Sequence, residues 1–405
     1  MEADSPAGPV RQHEHNLALV MRLAAATGPS SRARLAEASG LTKSTITQLT
    51  GELIEGGLLR EIGTGRVSGP GRPANLLVLN SLGPAAIGLQ VEADHVAGCL
   101  IDLTGRVRDR ALRKADDLRA DPAKAVKAAE PVLRRLLNTA SSTDNVVAGV
   151  AVGLPGRVSG QQDSATVSSA ELGWQETGLS RLLGARLDGL GGGSIPVTAH
   201  NGNRLGALAE EWSGGAGGVP LVYVGGEFGL GAGVLNEGVP LRGNNGAAGE
   251  IGHVRVRARG ERCACGRTGC LDTVAGQQAI LTAAGTGSAA ASRLVGGAGP
   301  LPGLLAAGDR AAIAAVRRAG KALGEVLGGL VPAVDPGLIV LGGRLAALGE
   351  SLVGAVSAAL TERSPALATD IVVRVSTMPP DVVARTAAAT VTRELIGSPA
   401  RWLAA

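Results

Sequence analysis

The chain has 405 residues, 45% hydrophobic and 18% charged, enough for roughly two to three domains with sizeable cores. Its 39 Lys and Arg against 35 Asp and Glu leave a net charge of +4, so bulk charge decides nothing about a nucleic-acid partner, and five aromatic residues (Trp174, Trp212, Trp402, Tyr223, Phe228) leave the core to Leu, Val, Ile and Ala. No apolar run reaches the ~20 residues of a membrane helix, the opening Met-Glu-Ala-Asp does not read as a signal peptide, and a few, mostly clustered cysteines suit a reducing cytoplasm.

Residues 1–80 hold eight basic and seven acidic side chains, so any nucleic-acid role depends on where the charges sit. Leu17, Val20, Met21 and Ala24 fall at helical spacing, and Gly28-Pro29 ends that helix. Ser31 can cap a short helix from Arg32 to Ser39. After the Gly40-Leu41 turn, Thr42 can cap a third helix with Ile46, Leu49 and Leu53 facing inward. The opposite face presents Lys43, Ser44, Thr45, Thr47 and Gln48. This is a helix-turn-helix pattern: the small polar side chains can reach base edges of double-stranded DNA, while Arg32, Arg34 and Lys43 can meet phosphates. Residues 58–62, a turn at Gly63-Thr-Gly65 and residues 76–79 read as the two strands of a wing. Gly69-Pro-Gly-Arg-Pro73 is extended and thin, and Arg72 suits either a minor groove or a solvated linker.

Three strands follow, at 86–91, 96–103 and 107–112, then an Ala/Leu-rich helix from about 122 to 137. A buried strand at 146–152 runs into Gly153-Leu-Pro-Gly156. Further strands are expected at 195–199, 222–224, 338–343 and 371–376. Helices are expected at 309–330, 345–360 and 381–395, the last packing back on the first lobe. Residues 281–308 read as short helices with loops. Cys99 stands alone in an apolar run and reads as a buried small residue. The other three cysteines, Cys263, Cys265 and Cys270, lie together behind His253. Glycines 266 and 269 let the backbone fold them round one point, and residues 254–262 can run out and back as a hairpin. Three thiolates and an imidazole make a closed tetrahedral zinc site, so a structural Zn2+ is expected.

Glu250-x-x-His253 followed by Cys-x-Cys-Gly-x-x-Gly-Cys-Leu-Asp272 resembles the signature of the ROK family, which comprises sugar-responsive repressors and sugar kinases. Arg34-Leu-Ala36, Gly40-Leu41 and the Gly-Arg-Pro element resemble the winged module preceding the sugar domain in its repressors. The resemblance implies an α/β fold, with a winged helix-turn-helix over 1–80 and a two-lobed, actin-like or sugar-kinase-like domain. Lobe 1 would span 81–198, joined by a C-terminal helix at about 381–405, and lobe 2, with the zinc site, 199–380. It also implies that Gly156, Asn201, Glu250, His253 and Asp272 line a sugar site, His253 serving metal and sugar with its two nitrogens.

The departures from the family pattern are chemical. The general base of the Asn-Asp-Ala-Asn segment is Gly202 here, and glycine cannot take a proton from a hydroxyl. The first phosphate loop, Asp-x-Gly-Gly-Thr in the family's kinases, is Gln90-Val-Glu-Ala-Asp94, which offers carboxylates in place of backbone amides. The entry to the second, before Gly229-Leu-Gly-Ala-Gly233, is Glu227-Phe228. Glu171 stands where the family usually has Asn, and Asp272 is a methylene shorter than the usual glutamate. The chain is therefore expected to be a DNA-binding regulator, most simply a repressor, that oligomerises, takes no ATP and catalyses nothing. It would answer to a sugar or sugar derivative, or, with its sugar contacts incomplete, to no ligand at all. An active sugar kinase is the least favoured reading.

Overall fold

The computed structural model describes residues 8–65, 74–160, 164–213, 216–227, 229–286 and 299–404. The Gly-Arg-Pro element with Arg72, and Phe228, lie outside them.

Pro at the first turn starts α1 (Pro9–Thr27). Ser30 and Ser31 form the short strand β1, and the Ser31 hydroxyl accepts the Arg34 N–H to cap α2 (Arg32–Ser39). Gly40, left-handed at φ +71°, turns the chain. Thr42 then caps α3 (Lys43–Glu55) by accepting the Thr45 N–H at 3.2 Å. The wing is β2 (Leu59–Gly65) paired antiparallel with β3 (Ala74–Leu79), and β3 also pairs with β1. The expected turn at 63–65 is corrected. The ladder skips between Glu61 and Thr64 and resumes at Thr64–Asn75, so the irregularity is absorbed as a bulge and the strand continues through Gly65. Leu17, Met21, Leu35, Ile46, Leu49, Leu53 and Leu77 make this unit's core.

The first five-stranded sheet contains β4 (Pro84–Val91), β5 (His95–Asp102) and β6 (Val107–Lys114) as an antiparallel meander. Helix α4 (Pro122–Ser142), capped by Asp121, runs a turn longer than expected and leads to β7 (Val146–Leu154), parallel to β4. A small antiparallel sheet of β8 (Arg157–Ser159), β9 (Thr166–Ser169) and β10 (Trp174–Thr177) precedes α5 (Leu179–Asp188). Strand β11 (Val197–Asn201) closes the sheet in parallel with β7.

Helix α6 (Gly202–Trp212) crosses to the second sheet, which repeats the first: a meander, then two parallel strands. The meander is β12 (Leu221–Gly225), β13 (Gly231–Asn236) and β14 (Val239–Pro240). Helices α7 (Asp272–Ala275), α8 (Gln277–Ala283), α9 (Leu301–Ala306) and α10 (Arg310–Val334) follow. Strand β15 (Leu338–Leu341), helix α11 (Gly349–Arg363) and strand β16 (Val372–Val375) complete the lobe, with β15 parallel to both β12 and β16. A single turn of 3₁₀ helix at Gly343–Leu348 leads into α11, so the helix expected from 345 starts at 349. Together, residues 343–363 are long and apolar enough to cross a membrane by length and composition, contrary to the sequence expectation. Their Leu348, Leu352, Val356 and Leu360 are instead buried in the core shared with α10.

Helix α12 (Val382–Gly397) returns to the first sheet, where Ala384 and Ala388 pack on Ala86, Cys99 and Ile101. Gly88 permits this: a Cβ there would run into the Ala384 carbonyl. Burial pushes the Cys99 thiol up to about 12, consistent with an inert core residue. The last helix, α13 (Ala400–Leu403), docks on the winged unit, with the Trp402 indole N–H donating to the Gly56 carbonyl at 2.9 Å.

Candidate functional site

At the N-terminal unit, α3 turns Lys43, Ser44, Thr47 and Gln48 to solvent, with Thr45 half-buried, while Ile46, Leu49 and Thr50 face inward. Thr47 Oγ1 donates to the Lys43 carbonyl and Gln48 Nε2 to Glu52 at 3.1 Å, so both side chains are held but their outer faces stay open. Arg34 is exposed. Arg32 is committed inward: its Nε donates to Thr50 Oγ1 at 3.0 Å and it pairs with Glu61 of the wing at 2.7 Å. A phosphate would have to displace Glu61 to reach it.

The cysteine cluster forms where sequence placed it. His253 Nδ1 lies 3.6 Å from Cys263 Sγ, Cys265 Sγ lies 3.7 Å from Cys270 Sγ, and all four candidate atoms lie within 4.8 Å of one another. A tetrahedral metal bonded at about 2.3 Å to sulfur and about 2.0–2.1 Å to nitrogen sets S···S at about 3.8 Å and S···N at about 3.6 Å. The residues present fit such an ion. Segment 254–262 does not pair with itself as a simple hairpin. Its partner is the return through 268–270, by the bridges Arg255–Cys270 and Arg262–Thr268 and the Val256 N–H donating to the Gly269 carbonyl at 2.8 Å. Burial raises Cys263 to about 12. At Cys265 burial also acts upward, but the Arg267 amide and guanidinium outweigh it and bring the thiol to about 7. His253 Nε2 points away from the sulfurs toward Glu250 Oε2, 3.9 Å off.

The ligand-site candidates gather between the lobes, but several are already engaged. Asn201 caps α6, its Oδ1 accepting the Arg204 N–H at 2.9 Å, while its Nδ2 donates to the Gly156 carbonyl at 2.8 Å. Gly156, at φ +96°, lies against Ser168 and Ser169, where a Cβ would not fit. Asp272 Oδ1 accepts the Leu230 N–H at 2.9 Å, and beside it Glu171 Oε2 accepts the Gly229 N–H at 3.2 Å. These two carboxylates hold the 229–230 loop, with Glu171 reaching across from lobe 1. Burial raises Glu171 to about 7, with the Asp272 charge adding to it, and raises Asp272 to about 6. Glu250 is also raised by burial. At Gly202 the nearest atom to an added Cβ would be the Leu154 carbonyl oxygen at 3.6 Å, so a side chain has room there.

Next to this lies a cleft of about 250 Å³ lined by Gln90, Glu92, His95, Gly202, Glu227 and Arg344, among others. It is internally charge-paired. Arg344 pairs with Glu227 and lies 3.9 Å from Asp94, His95 Nδ1 bonds Asp94 at 2.6 Å, and Gln90 donates to Glu92 at 2.9 Å. Burial, with Glu171 and Glu227 nearby, raises Glu92 well above the carboxylate range. A guanidinium ringed by carboxylates lies where the sequence resemblance placed phosphate loops. His200, the remaining neighbour of Gly202, does not supply a base there. It bonds to Thr198 at 3.0 Å, lines a separate cavity with Val150 and Thr390, and burial lowers it to about 4.

Residues 86–379 match the ROK family, and residues 16–63 match the IclR helix-turn-helix domain. The chain belongs to the ROK family. A xylose repressor from Caldicellulosiruptor bescii is 31% identical over 256 residues, 62% of this chain and 61% of that protein, so the chain spans about three fifths of the length of such curated relatives. A solved ROK family transcriptional regulator, described as a homolog of the E. coli MLC protein, superposes with a TM-score of 0.78 at 25% identity, over 97% of this chain and 100% of its own. A ROK family glucokinase from Streptomyces griseus, solved with glucose and AMPPNP, superposes with a TM-score of 0.62 at 21% identity, over 76% and 98%, and shows the shared fold.

Three features of this ROK chain escaped the sequence reading. Arg204 is a cation inside an otherwise apolar helix turn, and that break in pattern was the available signal. Arg344 follows Gly342-Gly343, where only its distant partners Glu227 and Asp94 give it meaning. The docking of Trp402 on Gly56 joins residues 346 apart in sequence and left no local trace.

Proposed function

We propose that this protein is a DNA-binding transcriptional regulator, most simply a repressor, whose ROK domain binds a sugar or sugar derivative without phosphorylating it. The observation that carries the reading is a contrast within one chain: α3 offers an open polar face, while the cleft that would hold nucleotide is lined by Arg344 and its carboxylates in place of a phosphate cradle. Gly202 leaves no base beside it. The whole-length likeness to a solved ROK transcriptional regulator supports the same assignment.

In this account residues 1–80 bind the operator through Lys43, Ser44, Thr45, Thr47 and Gln48, with Arg34 on the backbone and Arg72 at the minor groove. Residues 81–198 with the C-terminal helices, and residues 199–380, are the two effector lobes. A Zn2+ held by His253, Cys263, Cys265 and Cys270 fixes the loop bearing Glu250. When bound, the ion supplies rigidity and holds the His253 imidazole in one orientation. Ligand held among Gly156, Glu250, His253 and Asp272 shifts lobe closure, and thereby the spacing of two winged units in a cytoplasmic homo-oligomer.

A second reading is favoured by one observation. Asn201 commits both side-chain polar atoms, and Asp272 one carboxylate oxygen, to the protein itself, which suits a regulator that binds DNA without any small ligand. Footprinting on a selected operator, with and without a panel of monosaccharides and their derivatives, separates the two. A footprint that weakens with one sugar class supports the responsive regulator, and a footprint indifferent to all supports the second reading. ATP-dependent phosphorylation of any panel sugar would contradict both.

A further inference from the structure

Arg204 sits in the first turn of α6, its backbone N–H fixed by Asn201. Its side chain is only 5% exposed, yet neither terminal guanidinium nitrogen has a hydrogen-bond partner. An ionised group removed from water needs a partner, because desolvation disfavours the charge. Arg344, also buried, has Glu227 and Asp94. The groups within electrostatic reach of Arg204 are the cation Arg242, the carboxylate Glu250 and His200. Arg157 and the Asp272 carboxylate also act on Glu250. Arg204, Arg157 and Arg242 thus gather near two carboxylates, Glu250 and Asp272, leaving an excess of positive charge at the N-terminus of a helix whose own dipole favours negative charge. Gly202, two residues before Arg204, lines the adjoining cleft at that helix start.

We propose that the effector of this protein is a sugar bearing an oxyanion, a carboxylate or a phosphate, and that Arg204 receives it. The proposal deepens the sugar-responsive reading above and rests on it. A planar guanidinium presents paired N–H donors that match two oxygens of either group. Glu250 and His253 remain for ring hydroxyls, and the anion supplies the hydrogen-bond partner that the buried Arg204 guanidinium lacks.

The test is calorimetric titration of full-length, zinc-loaded protein with neutral and anionic forms of the same sugar. Glucose is compared with gluconate, glucuronate and glucose 6-phosphate, and xylose with xylonate, with inorganic phosphate as a further arm. The expected result is that one anionic form binds at least about tenfold more tightly than its neutral parent, as for a charged hydrogen-bonded contact. Whether the carboxylate or the phosphate arm responds identifies the source of the oxyanion. Arg204→Gln abolishes that preference, and Arg204→Lys, which keeps the charge but loses the paired donors, retains only part of it. Should Arg204→Gln not fold, Gly202→Asp gives an independent reading: it puts a carboxylate at the helix start and weakens anion binding by about tenfold or more. Neutral sugars binding as tightly as their anionic forms, or a preference that survives loss of Arg204, overturns the proposal while leaving the sugar-responsive reading intact. A blank with every sugar sinks both.

Discussion

At the scale of single residues the protein repeatedly places charge where it is costly. Glu171 and Asp272 titrate near 7 and 6, against ordinary values of 4.5 and 3.8, because burial disfavours their ionised forms. At these two groups the folded chain holds more protons than the unfolded one between about pH 4 and pH 7, so their contribution to stability falls as pH rises through that window, while His200, lowered to about 4, acts in the opposite sense. Glu171→Gln keeps an acceptor for the Gly229 N–H and removes the charge. It should flatten the stability–pH profile between pH 4.5 and 7 and stabilise the protein at pH 8 by on the order of 2 kcal/mol, as read by urea unfolding. An unchanged slope would mean that Glu171 does not titrate in this window. The cysteine cluster predicts the opposite sense of cost. Protein purified without chelator should carry about one zinc per chain by elemental analysis, and Cys263→Ser should lose it together with ~5 °C or more of thermal stability. Full stability with no bound metal would show that the four side chains meet for packing alone.

At the scale of elements, local chemistry carried most of the information. Ser31, Thr42, Asp121 and Asp309 each cap the helix that follows them, and the strands of both sheets begin and end within a few residues of their hydrophobic runs. Failures arose where tertiary contact decides. The wing ladder absorbs Gly63 as a bulge because Thr64 and Asn75 still pair, and the return of 268–270 onto 255–262 follows from the cluster rather than from local turn signals. The candidate site was legible in the same uneven way. Its metal ligands share one loop and announce themselves by spacing. Asn201 and Asp272 were visible as residue types, but their engagement with Gly156, Arg204 and Leu230 depends on atoms that only folding brings near. Helix α12 is the element on which both lobes lean. Ala387 packs with Ala151 of lobe 1 and Leu205 of α6. Gly88→Ala drives a methyl into the Ala384 carbonyl and should cost about 3 kcal/mol or more, with α12 losing hydrogen-exchange protection first. A variant as stable as the parent would show that α12 can shift without penalty.

At the scale of the whole molecule, one helix pair links cleft and reading head. Val382 and Val383 line the cleft at the start of α12, and some twenty residues later Trp402 bonds Gly56 just beyond the end of α3. Lobe closure that tilts α12 would therefore be transmitted to the winged unit. All of this presupposes that the winged unit reads a sequence. The most direct measurement is selection from a random duplex pool by full-length, zinc-loaded protein, followed by anisotropy titration of the enriched site at several salt concentrations. The account predicts an enriched motif bound at about 10⁻⁸ M or tighter, with affinity falling steeply with salt. Gln48→Ala should relax specificity at particular base pairs, and Lys43→Ala should weaken binding to all sequences alike. A folded protein that enriches no motif, or one whose specificity survives loss of Thr47 and Gln48 together, would contradict the account.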